Sequence, residues 1–163
     1  MNKTELLNEV VLALRNLLTQ AVTAAEKAHK AATDDQSVAE TQYDTLAIEA
    51  SYLAQGQSLR IDELKAQIQQ LEALQVETEQ LNVANSQVNL GSLVWLDYDN
   101  GENKKVFILP CGAGIQLEVE GEKVLVVTPK APLAKDILGK TVDDDFELVI
   151  AGKHQSGFIS EVT

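Results

Sequence analysis

From Thr4 to Ala32 the chain runs without a glycine or proline, and no other feature restricts its fold so strongly. Apolar residues recur in threes and fours at Leu7, Val10, Leu14, Leu17, Ala21, Ala24 and Ala28, which is one stripe of a coiled-coil helix. Most helical stability comes from burying such a stripe against a partner, so the sequence has to supply one. Thr33-Asp34-Asp35-Gln36-Ser37 interrupts the run, and Ser37 stands three residues before Glu40, the spacing of a reciprocal capping box. A second helix is therefore predicted to begin near Val38. Its stripe continues through Leu46, Ala50, Leu53, Gln57, Ile61, Leu64, Ile68, Leu71 and Leu74, with Gly56 the weak helix former. A five-residue break cannot carry the chain back for a parallel pair, so residues 1–80 are read as an antiparallel coiled-coil hairpin with its tip near 33–40. The first arm is about 43 Å long at 1.5 Å per residue. Its stripe shrinks from Leu and Val to Ala towards the turn, which makes the arm thin enough to enter a narrow opening.

Glu77 to Leu90 is polar and rich in Asn and Gln, and reads as a helix end followed by a linker over 81–90. After Leu90 the period shortens to that of β-strands. Ser92–Tyr98, Lys105–Leu109, Ile115–Val119 and Lys123–Thr128 are predicted strands, with Asn100-Gly101 and Gly121 as hairpin turns. Pro132 opens a short helix over Leu133 to Leu138 that Gly139 terminates, and Phe146–Ile150 and Gly157–Val162 close the domain. Residues 91–163 thus form an α+β domain, one short helix covering an antiparallel sheet.

The chain's 163 residues suit a slender helical element plus one small domain. The formal charge of −12 is shared by both parts: residues 1–88 carry 6 basic and 13 acidic side chains, residues 89–163 carry 7 and 12. Such a surface repels free nucleic acid and favours a basic protein partner. One cysteine, Cys111, excludes an internal disulfide, and no stretch resembles a signal peptide or a membrane span, so the cytoplasm is the expected address.

Three segments carry a family likeness. They are Gly91-Ser92-Leu93-Val94; Lys105-Val106-Phe107-Ile108-Leu109; and Val127-Thr128-Pro129-Lys130-Ala131-Pro132-Leu133 through Ile137-Leu138-Gly139-Lys140 to Asp145-Phe146-Glu147. Together they resemble the C-terminal domain of Gre-type (GreA/GreB) transcription elongation factors, and a helical hairpin with an acidic turn preceding that domain is also the Gre order. The resemblance implies an FKBP-like domain that docks at the rim of the secondary channel of bacterial RNA polymerase, with the hairpin passed towards the catalytic Mg²⁺. In cleavage-promoting members, tip acids help hold a second Mg²⁺ and a water, and the polymerase hydrolyses backtracked nascent RNA. Asp34, Asp35 and Glu40 are the positions that map to those acids. Lys27 and Lys30, near the tip, are candidates for RNA or nucleotide phosphate contact. The protein is then an accessory factor without a cofactor of its own, monomeric when free. Some relatives keep the fold and the channel site but modulate transcription without cleavage, so a non-cleaving channel regulator stands beside the first reading.

Other candidates read as structural. Tyr43 and Tyr52, at i and i+9, do not share a helix face. Cys111 precedes Gly112 in a loop without a flanking base, and His154 lacks companions for a metal or a triad. Trp95, Phe107, Phe146 and Phe158 fall within β runs, where core packing is the expected role rather than a proline pocket for isomerase activity. Phosphate loops, zinc spacings and serine-centred motifs are missing, so an independent enzyme is not expected.

Overall fold

A computed structural model describes residues 2–33, 43–80, 87–150 and 152–163. By contacts the chain divides into two compact units, Leu12–Gln69 on one side and Met1–Val11 with Gln70–Thr163 on the other.

The helical unit is built from α1 (Lys3–Thr33) and α2 (Tyr43–Gln80), both of which extend beyond it. Nine residues separate the helices. Fully extended they reach about 35 Å, less than the roughly 46 Å length of α1, so the pair runs antiparallel. Along α1 the inward positions are Leu7, Val11, Leu14, Leu18, Ala21, Ala25 and Ala28, whereas Leu17 and Ala24 face solvent. Leu17 and Ala24 are thus each corrected by one residue, while Val10 is buried as expected, beside Val11. Leu7, Leu14, Ala21 and Ala28 belong to both a three-four and a four-three stripe, and the alternates are apolar either way. On α2, Gln57, Ile61, Leu64, Ile68, Leu71 and Leu74 turn inward as expected, but Leu53 is 60% exposed.

The second unit is a six-stranded sheet of order β3-β4-β2-β1-β6-β5. Its strands are β1 (Leu93–Tyr98), β2 (Asn103–Ile108), β3 (Gln116–Val119), β4 (Glu122–Val127), β5 (Asp145–Ile150) and β6 (Lys153–Val162), with α3 (Pro132–Ile137) between β4 and β5. The sheet is mixed and not wholly antiparallel: β2 and β4 pair in parallel, with Lys105 opposite Val124 and Ile108 opposite Val127. A parallel pair requires a crossover of a dozen or more residues, and here β3 lies within that crossover. The β3–β4 hairpin closes through Glu120 and Gly121, both at positive φ (56° and 78°), the paired left-handed turn that matches strand twist.

Strand alternation gives the sheet two faces. Val94, Leu96 and Tyr98 of β1 join Val106, Ile108, Val127, Phe146, Leu148 and Ile159 in one core, closed by Ala134 and Ile137 of α3. Val88, in the segment read as a linker, is fully buried in the same core. Its N–H donates to Lys140 O and its carbonyl accepts from the Gly139 N–H, each at 2.8 Å. On the opposite face Leu93, Phe107, Leu117, Val124 and Val126 are also buried. There the first turns of α1 belong to the sheet unit: Val10 Cγ1 and Val126 Cγ1 lie 3.4 and 3.7 Å from where a Cβ on Gly112 would stand. Val10 is fully buried there.

Candidate functional site

α1 runs to Thr33, so its C-terminal turns deliver Lys27 and Lys30 to the end of the arm. Both side chains are exposed, and their spacing of three puts them on one helix face. Lys30 lies in the last turn, where the negative end of the helix dipole favours a cation. Asp34, Asp35 and Glu40 lie outside the described residues, as does the side chain of Tyr43. Tyr52 is exposed on α2. The structure therefore places the candidate cations and leaves the candidate acids unplaced.

In the sheet domain, the residues that carry the family likeness have definite mechanical roles. Pro132 opens α3 and needs no backbone partner for the N–H it lacks. Gly139 follows at φ +84°, a conformation that suits glycine, and sends the chain towards β5. Lys140 Nζ donates to Asp136 Oδ2 at 2.7 Å and to the Asp145 carbonyl at 2.9 Å. Asp136 Oδ2 also accepts the Glu147 backbone N–H at 3.2 Å. The pair thus covers one carbonyl and one N–H of β5, an edge strand of the sheet. Sequence reasoning missed this role. The only trace of it is the i, i+4 spacing of Asp136 and Lys140 across the end of the short helix.

Next in sequence, the Thr141 N–H and hydroxyl both donate to Asp144 Oδ2, at 2.7 and 3.0 Å. The backbone bond, and after it the hydroxyl, hold the Asp144 carboxyl below its usual range.

The four aromatics do not converge. Phe146 meets Tyr98 edge-to-face at 4.9 Å in the α3-side core, while Phe107 is buried on the other face. Trp95 is half-buried on that second face and Phe158 is exposed. A cleft of about 490 Å³ opens beside Trp95, lined also by Asp97, Asn103, Lys104, Lys105, Glu122 and Lys123. Within it Lys105 Nζ pairs with Glu122 at 3.0 Å and lies 5.7 Å from the centre of the Trp95 ring. The lining contains no thiol, hydroxyl or imidazole to act as nucleophile or base. Cys111 is buried, and burial pushes its thiol up, away from the reactive thiolate. His154 is exposed at the start of β6. Among the described residues no group of three or more His, Cys, Asp or Glu could hold a metal ion, and no helix is long and apolar enough to cross a membrane.

No family model and no curated protein matches the chain. Solved structures do resemble it. The GreA factor homolog 1 (Gfh1) of Thermus thermophilus is 16% identical with a TM-score of 0.38, covering 98% of this chain and 94% of its own. Gfh1 of Thermus aquaticus is 16% identical with a TM-score of 0.40, covering 99% and 96%. The prokaryotic transcription elongation factor GreA/GreB from Nitrosomonas europaea is 20% identical with a TM-score of 0.38, covering 50% of this chain and 64% of that one.

Proposed function

We propose that the chain is an accessory factor of bacterial RNA polymerase that docks through its sheet domain and passes its helical hairpin into the secondary channel. The observation that carries this reading is the order of parts. A two-helix arm precedes a domain in which Pro132-Leu133, Leu138-Gly139-Lys140 and Asp145-Phe146-Glu147, the segments most like Gre factors, form α3, its end and the strand it supports. The net charge of −12 supports a basic protein surface as partner rather than free nucleic acid.

Within this reading Asp34, Asp35 and Glu40 supply carboxylates at the tip, and Lys27 and Lys30 supply cations for phosphates of the nascent RNA. The donor set is chemically suitable, because hard carboxylate oxygens are the ligands Mg²⁺ prefers, and one or two suffice beside water and phosphate. A Mg²⁺ shared with the polymerase would lower the pKa of a bound water, and the chain's contribution is to bring the acids there. Hydrolysis then belongs to the polymerase. The spacing of Asp34, Asp35 and Glu40 differs from the closely grouped acids of cleavage factors, which favours a second reading: occupation of the channel without cleavage.

The deciding experiment adds purified protein to backtracked polymerase complexes with Mg²⁺ and follows nascent RNA length. Shortening by the wild type that disappears in Asp34→Ala/Asp35→Ala or Glu40→Ala, with polymerase binding retained, identifies a cleavage factor. Binding without shortening identifies the non-cleaving regulator. Absence of binding overturns both readings.

A further inference from the structure

On the face opposite α3, Phe158 of β6 stands between Asp97 of β1 and Asp145 of β5, its cross-strand partners on either side. Directly opposed residues of antiparallel strands bring their Cβ atoms to about 5 Å, so both carboxylates flank the ring. The ring is 41% exposed. Alternation puts Glu147 and Val149 of β5 on the same face, and Val149 is 59% exposed. Glu161 pairs with Trp95 further along β6, again on this face. Lys105, opposite Trp95 on β2, is held by Glu122 at 3.0 Å. Phe158 is thus an exposed aromatic with a carboxylate on each side of it.

We propose that this β1–β6–β5 face binds an arginine-bearing basic segment of another protein. A guanidinium is flat enough to stack on the Phe158 ring, and its fork of donors can reach a carboxylate on either side, which a lysine ammonium cannot do as well. Asn103 favours such an arrangement: with its amide nitrogen facing Asp97 it donates to Oδ1 at 3.1 Å and steadies that carboxylate. Phosphate backbones are repelled by the four acids. A second copy of the chain, equally acidic here, is repelled too, so the occupant is a different and basic polypeptide. The surface is independent of the hairpin tip, and its test does not involve polymerase.

The test titrates the isotope-labelled full-length chain with an unstructured peptide of alternating Gly and Arg, with Gly-Lys and Gly-Glu peptides as comparisons, and follows backbone amide resonances. The Arg peptide is expected to shift Asp97, Asp145, Gly157 and Phe158 first, and to bind more tightly than the Lys peptide. Phe158→Ala is expected to weaken binding roughly two- to fivefold, the loss of one exposed cation–π contact. Phe158→Leu, which keeps an apolar side chain, is expected to weaken it similarly while leaving the peptide-free spectrum native. Asp97→Asn and Asp145→Asn should each weaken it further. The proposal is overturned by no binding, by shifts spread over all acidic residues, or by Phe158→Leu binding as wild type.

Discussion

Gly157 faces Tyr98 across the β1–β6 ladder, and a single methyl group there should separate the two strands. A Cβ at this position would overlap the Asp97 carbonyl oxygen and stand 2.8 Å from Tyr98 Cα and 3.0 Å from Asp97 C. All three are backbone atoms, so no side chain can rotate away. To regain ordinary contact of 3.4 Å or more with the Asp97 oxygen, β6 must retreat by more than an ångström from a strand that carries Leu96 and Tyr98 into the main core. The retreat strains neighbouring bonds such as the Asp99 N–H to Ser156 O bond at 3.0 Å. One or two weakened ladder bonds cost about 0.5–1.5 kcal/mol each, and a strained, overpacked core about 1–3 kcal/mol more. Gly157→Ala should therefore destabilise the sheet domain by roughly 3 kcal/mol, a large share of the 5–15 kcal/mol typical of a domain. The chain's single tryptophan, Trp95 in β1, reports the loss directly: urea unfolding followed by its fluorescence should show an earlier midpoint with little change in slope. Gly56→Ala is the matched control. Nothing lies within 4 Å of a Cβ at Gly56, inside α2, so the same methyl should stabilise the helix by up to about 1 kcal/mol. A Gly157→Ala variant that unfolds within about 0.3 kcal/mol of wild type would refute the claim that β1 and β6 approach this closely.

Two further predictions concern the segment after α3. Asp136→Ala removes the acceptor shared by Lys140 and the Glu147 N–H, and should cost about 1 kcal/mol and expose the β5 edge, seen as concentration-dependent self-association in light scattering that the wild type lacks. For Asp144 the folded carboxyl lies below the usual aspartate range, so its stabilising contribution is present above the unfolded value and is lost as the pH falls through the lower, folded one. Asp144→Ala should accordingly flatten the acid limb of the stability–pH curve while changing its neutral-to-basic limb in level only, and an unchanged acid limb would dismiss the Thr141 bonds as the cause.

What could be seen in the sequence follows the range of the forces involved. The two helices, the six strands and the short helix after Pro132 are local patterns, and each was legible within a few residues. The seam of α1 was legible only in part. Leu7, Leu14, Ala21 and Ala28 satisfy either phase, and the choice of Leu18 over Leu17 depends on which side the partner helix lies. The parallel β2–β4 pair was hidden for a related reason, since β3 and β4 look like any hairpin until β2 is found beside β4. Lys140 was visible as part of a family motif, but its hold on Asp136 and the β5 backbone required three-dimensional placement.

The same logic separates the two proposed surfaces. The tip acids could be proposed from sequence because a turn between helices is a local feature, and their chemistry needs no particular neighbour from the sheet domain. Phe158 could not. Alternation says that it faces away from Ile159, but both sides of a sheet can be buried, and on the β2–β4 half both sides are. Only the long-range placement of α3 on one face, and of the first turns of α1 beside Gly112 on the other, leaves the β5–β6 half of the second face open. An exposed aromatic between two aspartates is thus a product of topology: it arises because β6 is inserted between the first strand of the sheet and the fifth.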